Sequence, residues 1–153
     1  MLNYADERHL CTNGYVPYGW QFKNEDIYIP SEKAARLNIF GMITKRNQYK
    51  GFTTQESINA DKIVDYLDRF SFNVTKKTVI VLDNASVHRN RKVKELRKIW
   101  EKRGLFLFYL PPYSPELNPA EILWRILKGK WIRPIDYETT DSLFNCTNSA
   151  LAA

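Results

Sequence analysis

Cysteine is scarce. Cys11 and Cys146 are the only two in 153 residues, and they stand far apart. They offer neither a zinc-ligand spacing nor a disulfide framework, which suits a reducing compartment. No apolar run approaches the about 20 residues that cross a bilayer. The opening "MLNYADERHL" also lacks the basic-then-apolar layout of a secretory signal. A membrane is therefore not among the expected partners. Repeats, low-complexity tracts and linkers are missing as well, and the length is that of a single domain. Acidic residues are outnumbered: 17 Asp and Glu stand against 23 Lys and Arg, a formal charge of +6 with pI ≈ 9.3. That balance favours an anionic partner, nucleic acid first. At 44% hydrophobic residues the chain can bury a real core, which argues against disorder.

The periodicities that are present predict an α/β domain. "LNYAD" reads as a short strand ending at the acidic pair Asp6–Glu7, and "YVPYGWQFKNEDIYIP" mixes turn residues with extended segments. "ARLNIFGMIT" reads as a strand that "NQYKGFTTQE" joins in a hairpin. Asn59 suits the cap of a helix whose apolar face is Ile63, Val64, Leu67 and Phe70. "TVIVLD" is apolar almost throughout, as a strand covered on both faces would be, and it ends at Asp83. "NRKVKELRKIWEKRG" predicts a helix with Val93, Leu96, Ile99 and Trp100 inward. Gly104 falls just past its end, and Lys102 and Arg103 suit its negative pole. "LFLFYL" is a second buried strand, a helix is expected from Pro119 to about Trp131, and the tail supplies one more. Strand–helix–strand order implies parallel pairing after an antiparallel start, hence a mixed sheet flanked by helices.

Three carboxylates stand where chemistry is expected. Asp83 ends a buried parallel-type strand, beyond which ligands bind in open α/β sheets, although "DNAS" also reads as a plain polar turn. Glu121 follows Asn118, a good N-cap, and Pro119, a good first helical residue. That is capping-box spacing, so Glu121 has a structural reading: a bond back to the Asn118 amide. On the helical wheel Ile122, Leu123, Ile126 and Leu127 fall on one side, and Glu121, Arg125 and Lys128 on the other. That charged edge suits phosphate handling or an ordinary solvated face. The third candidate is Asp6, with alternation sending it and Glu7 to opposite faces. Two carboxylates about 4 Å apart repel by about 4 kcal/mol at an effective dielectric of about 20. Three of them converging would call for a hard divalent cation, and oxygen ligands without His or Cys suit magnesium or manganese.

"VIVLDNASVH" followed by "LPPYSPELNPAEILW" resembles the IS630/Tc1/mariner superfamily of DDE transposases. "YADE" and "GYVPYGW" are similar to the opening of the same catalytic domain, so the likeness spans nearly the whole chain. It implies an RNase H-like fold over 1–153, with Asp6, Asp83 and Glu121 as catalytic and metal-binding triad, and it prefers Asp6 to Glu7. It implies Mg2+ or Mn2+, two ions, that cleave transposon ends and transfer strands into target DNA. It also implies a homodimer, by analogy with paired-end synthesis. The family carries upstream helix-turn-helix domains, whereas the first expected strand here begins almost at Met1, so those domains are expected to be absent. Residue 120 is Ala where the family usually has Ile, and the Asp83–Glu121 gap is a few residues longer than in Tc1 or mariner relatives. Phosphate contacts are expected from the basic stretch with Arg89, Arg91 and Lys92, and from Arg125 and Lys128. His88 and Trp124 read first as structural, and Tyr113 as packed or in contact with DNA. The expected location is the cytoplasm, on the nucleoid of a bacterium, or the nucleus of a eukaryote. Two competing readings are a catalytically silent nucleic-acid-binding remnant and an RNase H-like nuclease acting on RNA–DNA hybrids.

Overall fold

The computed structural model describes residues 1–12 and 35–152. The segments expected at "YVPYGWQFKNEDIYIP" and "GYVPYGW" lie outside the described residues. Among the described residues five strands form one mixed sheet in the order β3-β2-β1-β4-β5. β1 (Leu2–Cys11), β2 (Arg36–Thr44) and β3 (Tyr49–Thr54) are antiparallel. β4 (Thr78–Leu82) runs parallel to β1, and β5 (Leu105–Tyr109) runs parallel to β4. The hairpin and both buried strands thus appear where the sequence predicts them.

β1 departs from expectation. It does not stop at the acidic pair but continues to Cys11, because β2 pairs with it from Asn3↔Thr44 to Cys11↔Arg36. What ends early is its other ladder, since pairing with β4 covers only Leu2, Asn3 and Tyr4. Beyond Tyr4 the two parallel strands part. Asp6 sits just past that fork and Asp83 just past the end of β4. Diverging strand ends of this kind open the crevice in which α/β sheets bind ligands.

Helices cover both faces. α1 (Ala60–Phe72) starts at Asn59, whose side chain accepts from the Lys62 amide as the cap signal predicts. α2 (Arg91–Lys102) follows β4, and Gly104 beyond it adopts φ +92°, a backbone state that favours glycine. On this face Ile63, Leu67, Val93 and Trp100 pack against Ala5, Phe40, Ile80 and Leu107. Ile99, expected inward, is 42% exposed. At about 100° per residue it falls well off the Val93–Trp100 line. The Trp100 indole donates to Asp68, which also accepts from Arg103, so this buried ring leaves no polar atom unpaired.

The opposite face is covered by α3 (Ala120–Ile126), continued by a π-helical turn (Leu127–Trp131), and by α4 (Thr140–Ala152). The helix predicted from Pro119 therefore reaches Trp131, but with its last turn widened. Its buried residues are Ala120, Leu123, Trp124 and Leu127. Ile122, expected on the core side, is 56% exposed, and Trp124, read first as structural, is fully buried. Gly41 explains the change. A Cβ on Gly41 would lie 2.6 Å from the Trp124 ring, so the glycine leaves the hollow on β2 in which the indole rests. Burying a side chain of this size stabilises the fold by about 3 kcal/mol or more, and that draws α3 round towards it.

Candidate active site

The stiff loop before α3 fixes Glu121. Asn118 is buried, its Nδ2 donates to the carbonyl of Ala5 at 3.1 Å, and its Oδ1 accepts from the Ala120 amide at 3.1 Å. One side chain thus caps the helix and ties it to β1 beside Asp6. Pro111, Pro112, Pro115 and Pro119 restrict the approach. The capping box is not completed. The Asn118 amide donates to the Pro115 carbonyl instead, and no hydrogen bond or ion pair engages the Glu121 carboxylate among the described residues. Glu121 lines the crevice.

Asp6, Asp83 and Glu121 lie on the wall of one cavity of about 390 Å3, together with Arg89, Tyr113 and Asn118. Asp6 is held by the Trp124 Nε1–H, which donates to its Oδ2 at 3.0 Å. Burial raises its pKa to about 6, with Glu121 and Asp83 adding to the shift. Asp83 turns one oxygen to His88, whose Nδ1 stands 2.6 Å from its Oδ1. That hydrogen bond holds Asp83 below the usual carboxylate range. As placed, the three share the cavity wall but do not close around a point. Among the described residues no group of three His, Cys, Asp or Glu side chains stands close enough to hold a metal ion. Repulsion among like charges opposes closer approach, and two of the three have found donors nearby.

His88 is more than packing. It is 1% exposed and bridges two elements: its Nε2 stands 2.7 Å from Glu7 on β1, its Nδ1 faces Asp83, and its carbonyl accepts from the Tyr109 hydroxyl. This contact resolves the Asp6–Glu7 alternative that the sequence left open. Alternation sends Asp6 to the cavity and Glu7 to His88. Burial alone would lower the imidazole pKa, but hydrogen bonds and charge from Asp83 and Glu7 outweigh it and raise it to about 9. A raised histidine pKa stabilises the fold fully below about pH 6.5, and the contribution fades as pH climbs through about 9. In chelator, the unfolding free energy of the wild type should fall by a few kcal/mol at most between pH 6.5 and 10, and His88→Gln should flatten that part of the curve. Equal slopes for the two proteins would refute the bridge.

The basic candidates separate. Arg89 lines the cavity. Arg91 pairs with Glu95, and Lys92 with Asp61. Arg125 and Lys128 line a neighbouring hollow with Glu121. Tyr113, whose packing was an alternative, is fully exposed in a left-handed backbone conformation, φ 58°, on the cavity rim. The sequence reading missed Gly41 and Arg8. Alternation from Asp6 was signal enough for Arg8, but nothing local marks Gly41.

Comparison with known proteins agrees with the fold. Residues 1–143 match the family described as DDE superfamily endonuclease. A curated relative, uncharacterized protein y4pE/y4sA of Sinorhizobium fredii (strain NBRC 101917 / NGR234), is 39% identical over 54 residues, 35% of this chain and 36% of the relative. The Mos1 transposase paired-end complex with left transposon end superposes at TM-score 0.65 and 17% identity, covering 99% of this chain and 48% of that one. The catalytic domain of Mos1 mariner transposase superposes at TM-score 0.58 and 16% identity, covering 99% of this chain and 70% of that one. Other matched structures are described as Mos1 paired-end complexes with Mn and with Mg. The chain spans about half the length of the transposase in the paired-end complex. With the mixed sheet, its flanking helices and a match over nearly its full length, the chain has the RNase H-like fold of a transposase catalytic domain and belongs to the DDE superfamily endonuclease family.

Proposed function

We propose that residues 1–153 form the catalytic domain of a transposase that cuts DNA at transposon ends and joins the freed 3′-hydroxyl to target DNA. The observation that carries this reading is that Asp6, Asp83 and Glu121, from three separate elements, line one cavity beyond the parallel strand ends.

The donor set fits a divalent cation. All three groups are carboxylates, with neither thiolate nor imidazole lining the cavity among the described residues, which suits magnesium or manganese. Burial, with Glu121 and Asp83 adding to it, raises the Asp6 pKa to about 6, and a cation in the cavity would offset the cost of holding that charge. Asp6, Asp83 and Glu121 would hold the metal, two ions of Mg2+ or Mn2+, and such ions activate the attacking oxygen and neutralise the leaving one. The chain's own residues prepare the site. The Trp124 N–H occupies Asp6 Oδ2 and leaves Oδ1, His88 occupies Asp83 Oδ1 and leaves Oδ2, and Glu121 keeps both oxygens. Arg89 on the cavity wall would contact the phosphate being cut, and such contacts fix position rather than read sequence. Two copies acting on paired ends, and action at the nucleoid or in the nucleus, complete the reading.

The test is nicking of supercoiled plasmid. Nicking in Mg2+ or Mn2+ that chelator abolishes supports the reading, and its absence with active metal present defeats it. One observation favours the alternative of a catalytically silent DNA-binding remnant: no three carboxylates stand in metal-holding distance among the described residues. Salt-steep binding without cleavage would select that alternative.

A further inference from the structure

A second hollow, of about 270 Å3, adjoins the carboxylate cavity, sharing Glu121 with it, with Arg8, Trp124, Arg125 and Lys128 around it. Its layout follows from two periodicities. Arg8 lies two residues after Asp6 on β1, so the two share a face. Arg125 and Lys128 follow Glu121 by four and seven positions, so they continue its row on α3 and the turn beyond. Strand and helix therefore run side by side with acids at one end and cations at the next step. That step is about 6–7 Å along either element.

These cations crowd one another. The Lys128 pKa is lowered by burial and then by Arg8, and the His9 pKa by burial and then by Lys128, Arg36 and Arg8. Some basic side chains elsewhere are matched, as in Arg91–Glu95, Lys92–Asp61, Arg97–Glu101 and Arg103–Asp68, and others, such as Lys94, Lys98 and Lys102, extend from α2 without an ion pair among the described residues. Among the described residues Arg8, Arg125 and Lys128 have no such partner. The Arg8 Nε is buried and has no hydrogen-bond acceptor. A buried guanidinium donor without an acceptor is costly, and the group it matches best is a phosphate or carboxylate oxygen. The carboxylate beside it, Glu121, faces the metal-type cavity.

We infer that Arg8, Arg125 and Lys128 form a binding site for a single DNA phosphate, the one adjacent on the same strand to the phosphate that Asp6, Asp83 and Glu121 address. The inference rests on the transposase reading for the identity of the strand. The Arg8 fork supplies directed donors, while Arg125 and Lys128 supply charge from the helix side. The site sets where along the strand the cut falls, because its distance from the carboxylates is fixed by one step of β1 and one turn of α3. It distinguishes Arg8 from the basic face of α2, whose Arg91 and Lys92 are already engaged in ion pairs.

The experiment is DNA binding by fluorescence anisotropy, with a labelled duplex in chelator across 50–200 mM salt, so that it does not depend on catalysis. Each phosphate contact contributes about 0.9 to the slope of log affinity against log salt. Arg8→Gln should reduce the slope by about one, and Arg8→Lys should restore most of it. Lys76→Gln, an exposed change at the opposite end of the sheet, should leave it unaltered. Circular dichroism should show all three variants folded. An unchanged slope in folded Arg8→Gln, or an equal drop in Lys76→Gln, overturns the site. Where the enzyme nicks, a neutral methylphosphonate at each linkage around the mapped cut locates the phosphate. Wild type should lose affinity most at one linkage next to the cut, and Arg8→Gln should lose none there. Equal losses in both proteins overturn the assignment. A reduced slope without any nicking would keep the phosphate site and refute the enzymatic reading instead.

Discussion

Glu121→Gln should reduce metal-dependent nicking on the order of 10^3-fold while leaving stability in chelator equal to or slightly above that of the wild type. The two halves of this expectation have one cause. Glu121 has no hydrogen bond or ion pair among the described residues, so its charge supports nothing structural. It adds instead to the repulsion that helps raise the Asp6 pKa. Neutralising it removes that repulsion and leaves the helix cap intact, because the cap is made by Asn118. Removal of a group that acts only in the reaction typically costs at least about 10^2–10^3 in rate, and loss of one member of a catalytic unit can cost far more. Plasmid nicking and urea unfolding of the same preparation check both halves. Full activity in the variant would return Glu121 to the role of an ordinary first-turn residue. A stability loss above about 1 kcal/mol would show that it carries a structural bond.

Trp124→Ala should destabilise the protein by about 3–5 kcal/mol, enough to leave a domain of this size marginal. The ring is 1% exposed and rests over Gly41, where a Cβ would lie 2.6 Å from it. Alanine would leave a cavity at the contact between α3 and the sheet, and neighbours relax only partly into such a space. Trp124→Phe separates packing from hydrogen bonding. It keeps most of the ring but removes the Nε1–H from Asp6 Oδ2, which should cost about 1–3 kcal/mol for the unpaired oxygen. Equilibrium denaturation gives both values. A cost below about 1 kcal/mol for alanine would show that Trp124 does not anchor α3.

The parts of this molecule written in local signals were legible beforehand. Asn59 capped its helix, Gly104 took a positive φ, "TVIVL" and "LFLFY" became neighbouring parallel strands, and "NQYKGFTTQE" returned as a hairpin. Asp83 and Glu121 could be nominated because one follows a buried strand and the other opens a helix, whereas Asp6 was nominated as the end of a strand that in fact runs on to Cys11. What stayed hidden depended on partners distant in sequence. β1 is longer than its pattern suggested because β2 pairs with it to Cys11. The buried side of α3 differs from the apolar wheel because Gly41, 83 positions before Trp124, leaves the space for an indole. His88 looked like an isolated histidine near a helix start, and its weight comes from Glu7, on a strand that forms long before it in the chain. The Arg8–Arg125–Lys128 hollow likewise needs α3 laid along β1, a placement that Asn118 enforces through the Ala5 carbonyl. Local periodicity identifies faces, and only tertiary contact decides which faces meet.

Three acidic side chains, from β1, the end of β4 and the start of α3, are proposed to grip divalent metal. A crystal structure of the protein in saturating Mn2+, with anomalous scattering recorded at the manganese edge, measures this directly. Anomalous density is expected in the cavity, ligated by oxygens of Asp6, Asp83 and Glu121, with His88 still on the far oxygen of Asp83. A cavity without a peak, or a peak bound by one carboxylate while the others stay turned away, would contradict the proposal.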